Sequence, residues 1–201
     1  MIYEKGNIRV IIEQDVSMLD NYVLDDSNLG TMICFHKRYE LGHKTDLIAE
    51  QFRGWEGLKT YLEKEKEAVI ILPLYLLDHS GLWINTSGFS CAWDSGQVGF
   101  IYTTKEKIQE FMGIKKITKS VLKKVKTMLI DEVKTYSEIL EGNVWYYRVE
   151  KKKVCKCCNV ATYEDIESCN GFIGDIDKNG IKDIMKPKYF KIIDDRNEVK
   201  K

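Results

Sequence analysis

LPLYLLDHSGLWINTSGFSCAWDSGQVGFIYTTKEKI, residues 72–108, decides how this chain is built. Its start belongs to the run Val69–Leu77, almost continuously apolar and shorter than an ordinary helix. Such a run reads as a strand buried on both faces. Pro73 inside it has no backbone N–H, so an edge position or a bulge is expected there. His79-Ser80-Gly81 is turn chemistry, and Leu82–Thr86 alternates as a hairpin partner should. A loop begins at Ser87-Gly88 and continues through Gly96. Gln97–Tyr102 resumes strand character, with Gly99 marking a weak point or the close approach of a neighbour. Thr103, with Glu106 three residues on, is a capping-box pair that opens a helix at about residue 104. The loop 87–96 is thus slung between strands and carries polar and aromatic groups, the placement in which functional residues concentrate.

Outward from this block, Asn7–Gln14 reads as a first strand with Ile8, Val10 and Ile12 on one face. Residues 15–28 are acidic and irregular, ending in the loop or cap cluster Asp25-Asp26-Ser27-Asn28. Leu29–Leu41 reads as a strand, and Thr45–Lys66 as helical, broken near Gly54 and Gly57. Beyond the block, the helix from 104 closes at Gly113. In Thr118–Leu140, Val121, Leu122, Val125, Met128, Leu129, Val133, Tyr136 and Leu140 recur at three and four. That is the longest helical pattern, with Gly142 as its stop. Val144–Val149 is a strand, followed by a cysteine-containing hairpin excursion at about 150–175. Ile181–Lys186 reads as a helical turn before Pro187, and the tail from Asp194 as frayed. The sum is an α+β fold: a mostly antiparallel sheet packed against one long and one or two shorter helices, in a single domain over 1–201.

Lys+Arg and Asp+Glu number 31 each, so no global field draws the chain to nucleic acid or membrane. A composition of 44% hydrophobic and 31% charged residues supports a real core. No apolar run approaches the roughly 18 residues of a transmembrane helix, and MIYEKGNIRV lacks the apolar centre of a signal peptide. The six cysteines then fit a reducing cytoplasm, where metal binding or thiol chemistry competes with disulfides.

Four of those cysteines cluster: Cys155, Cys157, Cys158 and, after ten intervening residues, Cys169. The gap between Cys155 and Cys158 is that of a zinc knuckle, and zinc prefers four thiolate or imidazole ligands. A zinc ribbon has a second C-x-x-C pair, which is missing, so a reduced, partly exposed hairpin without cofactor is the plainer reading. Asp175, Asp177, Asn179 and Gly180 match the first half of an EF-hand loop, but the closing twelfth position is Lys186, where an ammonium replaces the bidentate carboxylate. A capping turn is preferred. Cys34, His36, His43, His79, Cys91 and Asp94 are the types from which a Cys/His site is made. His79, Cys91 and Asp94 are the candidates for catalysis, though no spacing assembles them and no enzymatic activity is assigned. Lys115, Lys116, Lys119, Lys123, Lys124 and Lys126 form a basic patch without an intervening acid. It is a candidate phosphate surface, or a solvated helix face, since no helix-turn-helix, finger or RNP signature accompanies it. No P-loop or dinucleotide glycine pattern occurs.

As a binding surface the central block offers Asp78, His79, Trp83, Trp93, Asp94, Ser95 and Gln97. Trp93 has two readings. Exposed, it is an interface anchor with Asp94 orienting a partner; turned inward, it plugs the sheet while Asp94 caps a turn through Ser95 and Gly96.

NLGTMICFHKRYELGHK (28–44), LPLYLLDHSG (72–81), GFSCAWDSGQVGFIYTTKEKI (88–108) and ESCNGFIGD (167–175) together resemble an uncharacterised family of similar length from bacteriophages, prophages and mobile elements. The family pattern has proline at Ala92 and a second aromatic at Asn170. What the resemblance implies is a setting: an accessory protein in the cytoplasm of a host cell. It suggests binding that antagonises a host defence effector, a protein or ribonucleoprotein such as a CRISPR nuclease or a restriction complex. Alternatives are a small enzyme acting on a nucleotide signal or host component through Cys91, His79 and Asp94, and a nucleic-acid-binding phage protein. The resemblance also makes 175–183 a family turn rather than calcium machinery.

Overall fold

The computed structural model describes residues 1–21, 24 and 27–198. Asp25 and Asp26 of the acidic cluster and the last three residues of the tail lie outside them. The elements in chain order are β1 (Ile2–Lys5), β2 (Ile8–Gln14), α1 (Val16–Asn21), β3 (Thr31–Cys34), α2 (Gly54–Lys64), β4 (Ala68–Asp78), β5 (Leu82–Asn85), β6 (Ser95–Thr104), α3 (Lys105–Met112), α4 (Lys119–Leu140), β7 (Val144–Val154), β8 (Ala161–Ile173), α5 (Ile181–Ile184) and α6 (Pro187–Glu198). All strand pairs are antiparallel, so the fold is α+β as expected. Where the sequence reads as one domain, the contacts fall into two compact units: residues 1–21 with 142–201, and residues 22–141. Each has its own sheet and core.

The unit of residues 22–141 contains a sheet in the order β3-β6-β4-β5. One face, through Met32, Leu72, Leu74, Leu76 and Ile101, packs with Val125, Leu129 and Val133 of α4 and Ile108 of α3. The opposite face, through Ile33, Phe100 and Tyr102, packs with Leu58 and Leu62 of α2. The expected burial of Val69–Leu77 on both faces holds for one face only: Leu72, Leu74 and Leu76 are buried, whereas Pro73, Tyr75 and Leu77 are half-buried and Val69 is exposed. Pro73 sits where expected: the β5 ladder reaches only from Asp78 to Tyr75, so at Pro73 only β6 flanks the strand, and a register shift follows at Leu74/Tyr75. That bulge places Val98 in the same cluster as Ile101, an odd-numbered separation a regular strand would split between faces. Gly99 admits a close neighbour: a Cβ there would stand 1.9 Å from the Ile33 carbonyl oxygen of β3.

The caps of α3 and α4 follow from their sequences, with one correction. Thr104, not Thr103, caps α3, its hydroxyl accepting from Lys107 N–H at 3.2 Å, and left-handed Gly113 closes it. Thr118 caps α4 by accepting from Val121 N–H at 3.3 Å. The long helix buries Val125, Leu129, Val133, Tyr136 and Ile139, while Val121 is half-buried at the margin. Two expectations fail. Only Thr31–Cys34 of the Leu29–Leu41 stretch is strand: Phe35 N–H still donates to the Val98 carbonyl of β6 at 2.7 Å, and the chain then returns through an isolated bridge from Ile33 to Gly42. Within Thr45–Lys66 only a short 3-10 turn at Ala49–Gln51 precedes α2, which begins at Gly54 instead of breaking there.

The unit of residues 1–21 and 142–201 contains a sheet in the order β1-β2-β7-β8. Val10, Ile12, Tyr147, Val149 and Phe172 form one face, covered by Ile181, Met185, Tyr189, Ile192 and Ile193. Strand β1 and helix α6 are absent from the sequence reading, and α6 extends to Glu198 instead of fraying from Asp194. Its signal was present in Tyr189, Ile192 and Ile193, spaced three and four apart. The other face of the same strands sets polar groups around a buried Ile11. Glu150, 4% exposed, accepts from Arg9 Nε at 2.6 Å and faces Arg148 Nε at 3.3 Å, and the Arg9 guanidinium stacks 3.6 Å above the Tyr163 ring.

Candidate functional site

The hairpin β4–β5 and the loop leading into β6 build the site. Asp78 ends β4 and pairs with Leu82, leaving His79-Ser80-Gly81 as a three-residue turn with Ser80 at positive φ. Gly81 has no Cβ because the Trp83 ring lies against it; an added Cβ would approach that ring at 2.8 Å. The loop 86–94 then crosses back, and β6 begins at Ser95, two residues before the expected Gln97. Asn85 fastens its start, accepting from the N–H groups of Ser87 and Gly88 at 3.0 and 2.7 Å. The Asp78 N–H donates to the Asp94 carbonyl at 2.8 Å, and the Ser95 hydroxyl donates to the Cys91 carbonyl, fastening its end.

Within this frame the structure brings His79, Cys91 and Asp94 together. His79 Nδ1 lies 3.0 Å from Asp94 Oδ2, and the Cys91 thiol points to the same oxygen at 3.8 Å. A nucleophilic thiol needs its base as direct partner. Here both side chains contact the Asp94 carboxylate, and the His79 contact ties the loop to the β4–β5 turn. Asp78 is held by two residues the sequence reading did not single out. Arg38 forms an ion pair with its carboxylate, and Tyr39 O–H donates to it at 3.4 Å. The His36 ring stacks on Tyr39 with centroids 5.0 Å apart. Their only advance signal was their place in the 28–44 block.

Trp93 stands clear of all this at 97% exposure. The inward-plug reading is therefore ruled out, and Asp94 binds side chains rather than capping a turn. Trp83 is half-buried on Gly81, and Gln97 spends its amide on the Gly99 carbonyl at 3.3 Å. Cys34 and His43 do not join the site. His43 is buried, its Nδ1 accepting from Met32 N–H at 3.0 Å, and burial pushes the Cys34 thiol up to about 12.

Three other sequence candidates have places of their own. Lys115, Lys116, Lys119, Lys123, Lys124 and Lys126 are exposed at and before the start of α4, and none forms an ion pair among the described residues. Cys155, Cys157 and Cys158 converge at the β7–β8 tip, all three sulfurs within 4.8 Å of one another. Cys157 lies 2.9 Å from Cys155 and holds the Cys155 thiol down to about 6 by hydrogen bonding to it. Cys169 is not with them: it pairs with Tyr147 eight residues along β8 from Ala161, about 25 Å at strand spacing. The four-cysteine zinc set is thus not assembled. The EF-hand-like segment is a turn, with Asp175 accepting from Asp177 N–H at 3.0 Å and Asp177 paired with Lys182 at 3.3 Å. Lys186 pairs with Glu167 at 2.7 Å.

Sequence reasoning also missed an open cleft of about 940 Å³ in the unit of residues 1–21 and 142–201. Glu13, Asp15, Tyr146, Arg148, Asp165 and Ser168 are among its lining residues. Tyr146 donates to Glu13 at 2.5 Å, which holds the phenol above its ordinary pKa.

No protein-family model, curated protein or solved structure matches this chain. Among the described residues no helix is long and apolar enough to cross a membrane.

Proposed function

We propose that the protein acts by stoichiometric binding through the 86–94 loop, with Trp93 as the anchor. The observation that carries this reading is the pairing of an almost fully exposed tryptophan with a loop tied down at both ends. An indole left in water gains nothing for the fold, whereas burying it in a partner supplies large apolar area at little entropic cost. The ties from Asn85, Asp78, His79 and Ser95 reduce the ordering penalty of binding, since the loop is held before the partner arrives. Arg38 and Asp78 flank it with an exposed ion pair that offers directional polar contacts.

The resemblance to phage and prophage accessory proteins supplies the setting. It favours a host defence effector as partner, a protein or ribonucleoprotein such as a CRISPR nuclease or restriction complex, held in an inactive complex.

The test is affinity capture from host lysate, read by mass spectrometry for protein and nucleic acid. The same capture is run with Trp93→Ala and Cys91→Ser, followed by measurement of affinity for the captured species. Trp93→Ala should keep the parent melting temperature and weaken binding by about 2 kcal/mol, roughly thirtyfold. Cys91→Ser should bind as the parent does. Loss of function with Cys91→Ser, together with turnover of a substrate, would replace binding with catalysis. Capture of nucleic acid alone, unaffected by Trp93→Ala, would move the function to the α4 lysines.

A further inference from the structure

The β7–β8 hairpin runs past its own sheet. The ladder with β2 ends at Lys151, and apart from one bond from Lys152 N–H to the Asn7 carbonyl at 2.8 Å, Lys152, Lys153 and Val154 pair with Tyr163, Thr162 and Ala161 of β8. Every residue from Lys151 to Glu164 is exposed, so this extension buries no core, and two-stranded ribbons of this kind are marginal on their own. A structural cysteine is normally a small buried hydrophobe. Here three cysteines sit in water at the ribbon's end, where packing gives no reason for them.

Their turn is nevertheless defined. Cys155 N–H donates to the Val160 carbonyl at 2.9 Å, and Asn159 N–H donates to the Cys155 carbonyl at 2.9 Å, with Asn159 in the left-handed region its side chain tolerates. The closed turn gathers positions 155, 157 and 158 so that all three sulfurs lie within 4.8 Å of one another. Metal–sulfur bonds of about 2.3 Å place three sulfurs in a plane about 4 Å apart, within easy reach of this arrangement. A tetrahedral ion needs a fourth ligand, and among the described residues no other histidine, cysteine or carboxylate belongs to the cluster. The geometry therefore disfavours zinc and suits a soft ion content with three thiolates.

We propose that Cys155, Cys157 and Cys158 bind one copper(I) ion in three-coordinate, all-sulfur geometry. Three copper–sulfur bonds form, the remaining thiol protons leave to solvent, and no electron is transferred. The product carries two negative charges, from three thiolates and one monovalent ion. Lys151, Lys152, Lys153 and Lys156 in the same ribbon offset them; among the described residues Lys153 alone of these forms an ion pair, with Glu164. This inference is independent of the loop's role, since no residue is shared.

The full chain, reduced with a phosphine and kept anaerobic, is titrated with an acetonitrile complex of copper(I) against a chromogenic copper(I) chelator. X-ray absorption counts the sulfurs. One equivalent with three sulfurs is expected. Cys155→Ser, Cys157→Ser and Cys158→Ser should each lose more than the roughly 10- to 100-fold that loss of a supporting residue costs. Cys169→Ser should bind as the parent does, and all four variants should keep the parent's melting temperature. Two-sulfur coordination, unchanged affinity in any tip variant, or stoichiometric tetrahedral zinc that copper(I) fails to displace would each overturn the proposal.

Discussion

Glu132 gives the sharpest test of how the core of the 22–141 unit is held. Its carboxylate reaches from α4 to the segment before β3, accepting from Leu29 N–H at 2.7 Å and Gly30 N–H at 2.8 Å. Leu29 is 0% exposed, and Gly30 is buried against Ile101. Glu132→Ala leaves both amides without a partner, at about 1–3 kcal/mol for each unsatisfied group. Removing a half-buried charge offsets part of that, so a net loss of about 3 kcal/mol is expected. For a chain of this size that lowers the melting temperature by roughly 6–12 °C. Hydrogen exchange at the Leu29 and Gly30 amides should quicken in parallel. The pH dependence adds a second readout. Burial pushes the Glu132 carboxyl above its ordinary 4.5, against the pull of the two amides and Lys107. Between 4.5 and the raised value the folded chain holds more protons at this site than the unfolded chain. Stability from this group is thus fully present below the unfolded value and is lost as pH rises through the folded one. Glu132→Gln should abolish that slope. A melting temperature within about 1 °C of the parent for Glu132→Ala, with unchanged exchange at both amides, would refute the reasoning.

Two further substitutions probe the same unit. Gly99→Ala forces a Cβ to 1.9 Å from the Ile33 carbonyl oxygen, so β3 must part from β6; thermal denaturation should show a loss of several kcal/mol, and a loss under about 0.5 kcal/mol would contradict the close approach. Val125→Asp buries an unpaired carboxylate at a position 0% exposed. It should cost several kcal/mol by urea denaturation, and retained stability would place that residue on the wrong helix face.

What the sequence determined by itself is whatever depends on near neighbours. The spacing of Val125, Leu129 and Val133, the capping hydroxyl of Thr118 and the glycines at 113 and 142 suffice to fix α4 and the end of α3, because helices are made of contacts three and four residues apart. The turn at His79–Gly81 and the alternation beside it likewise fix a hairpin. At the site, residue types alone marked the 87–96 loop and its Trp93. The direction in which Trp93 points was open, since an indole suits a core and an interface equally well. Only the tertiary structure decided it, by tying the loop through Asp78, His79 and Asp94 so that the ring projects outward. Arg38 and Tyr39 meet Asp78 across about forty residues of chain, a pairing no local pattern encodes. The cysteines divide on the same ground. Closeness in sequence was enough to gather 155, 157 and 158 in one turn, while Cys169 was carried away by the rise of an extended strand.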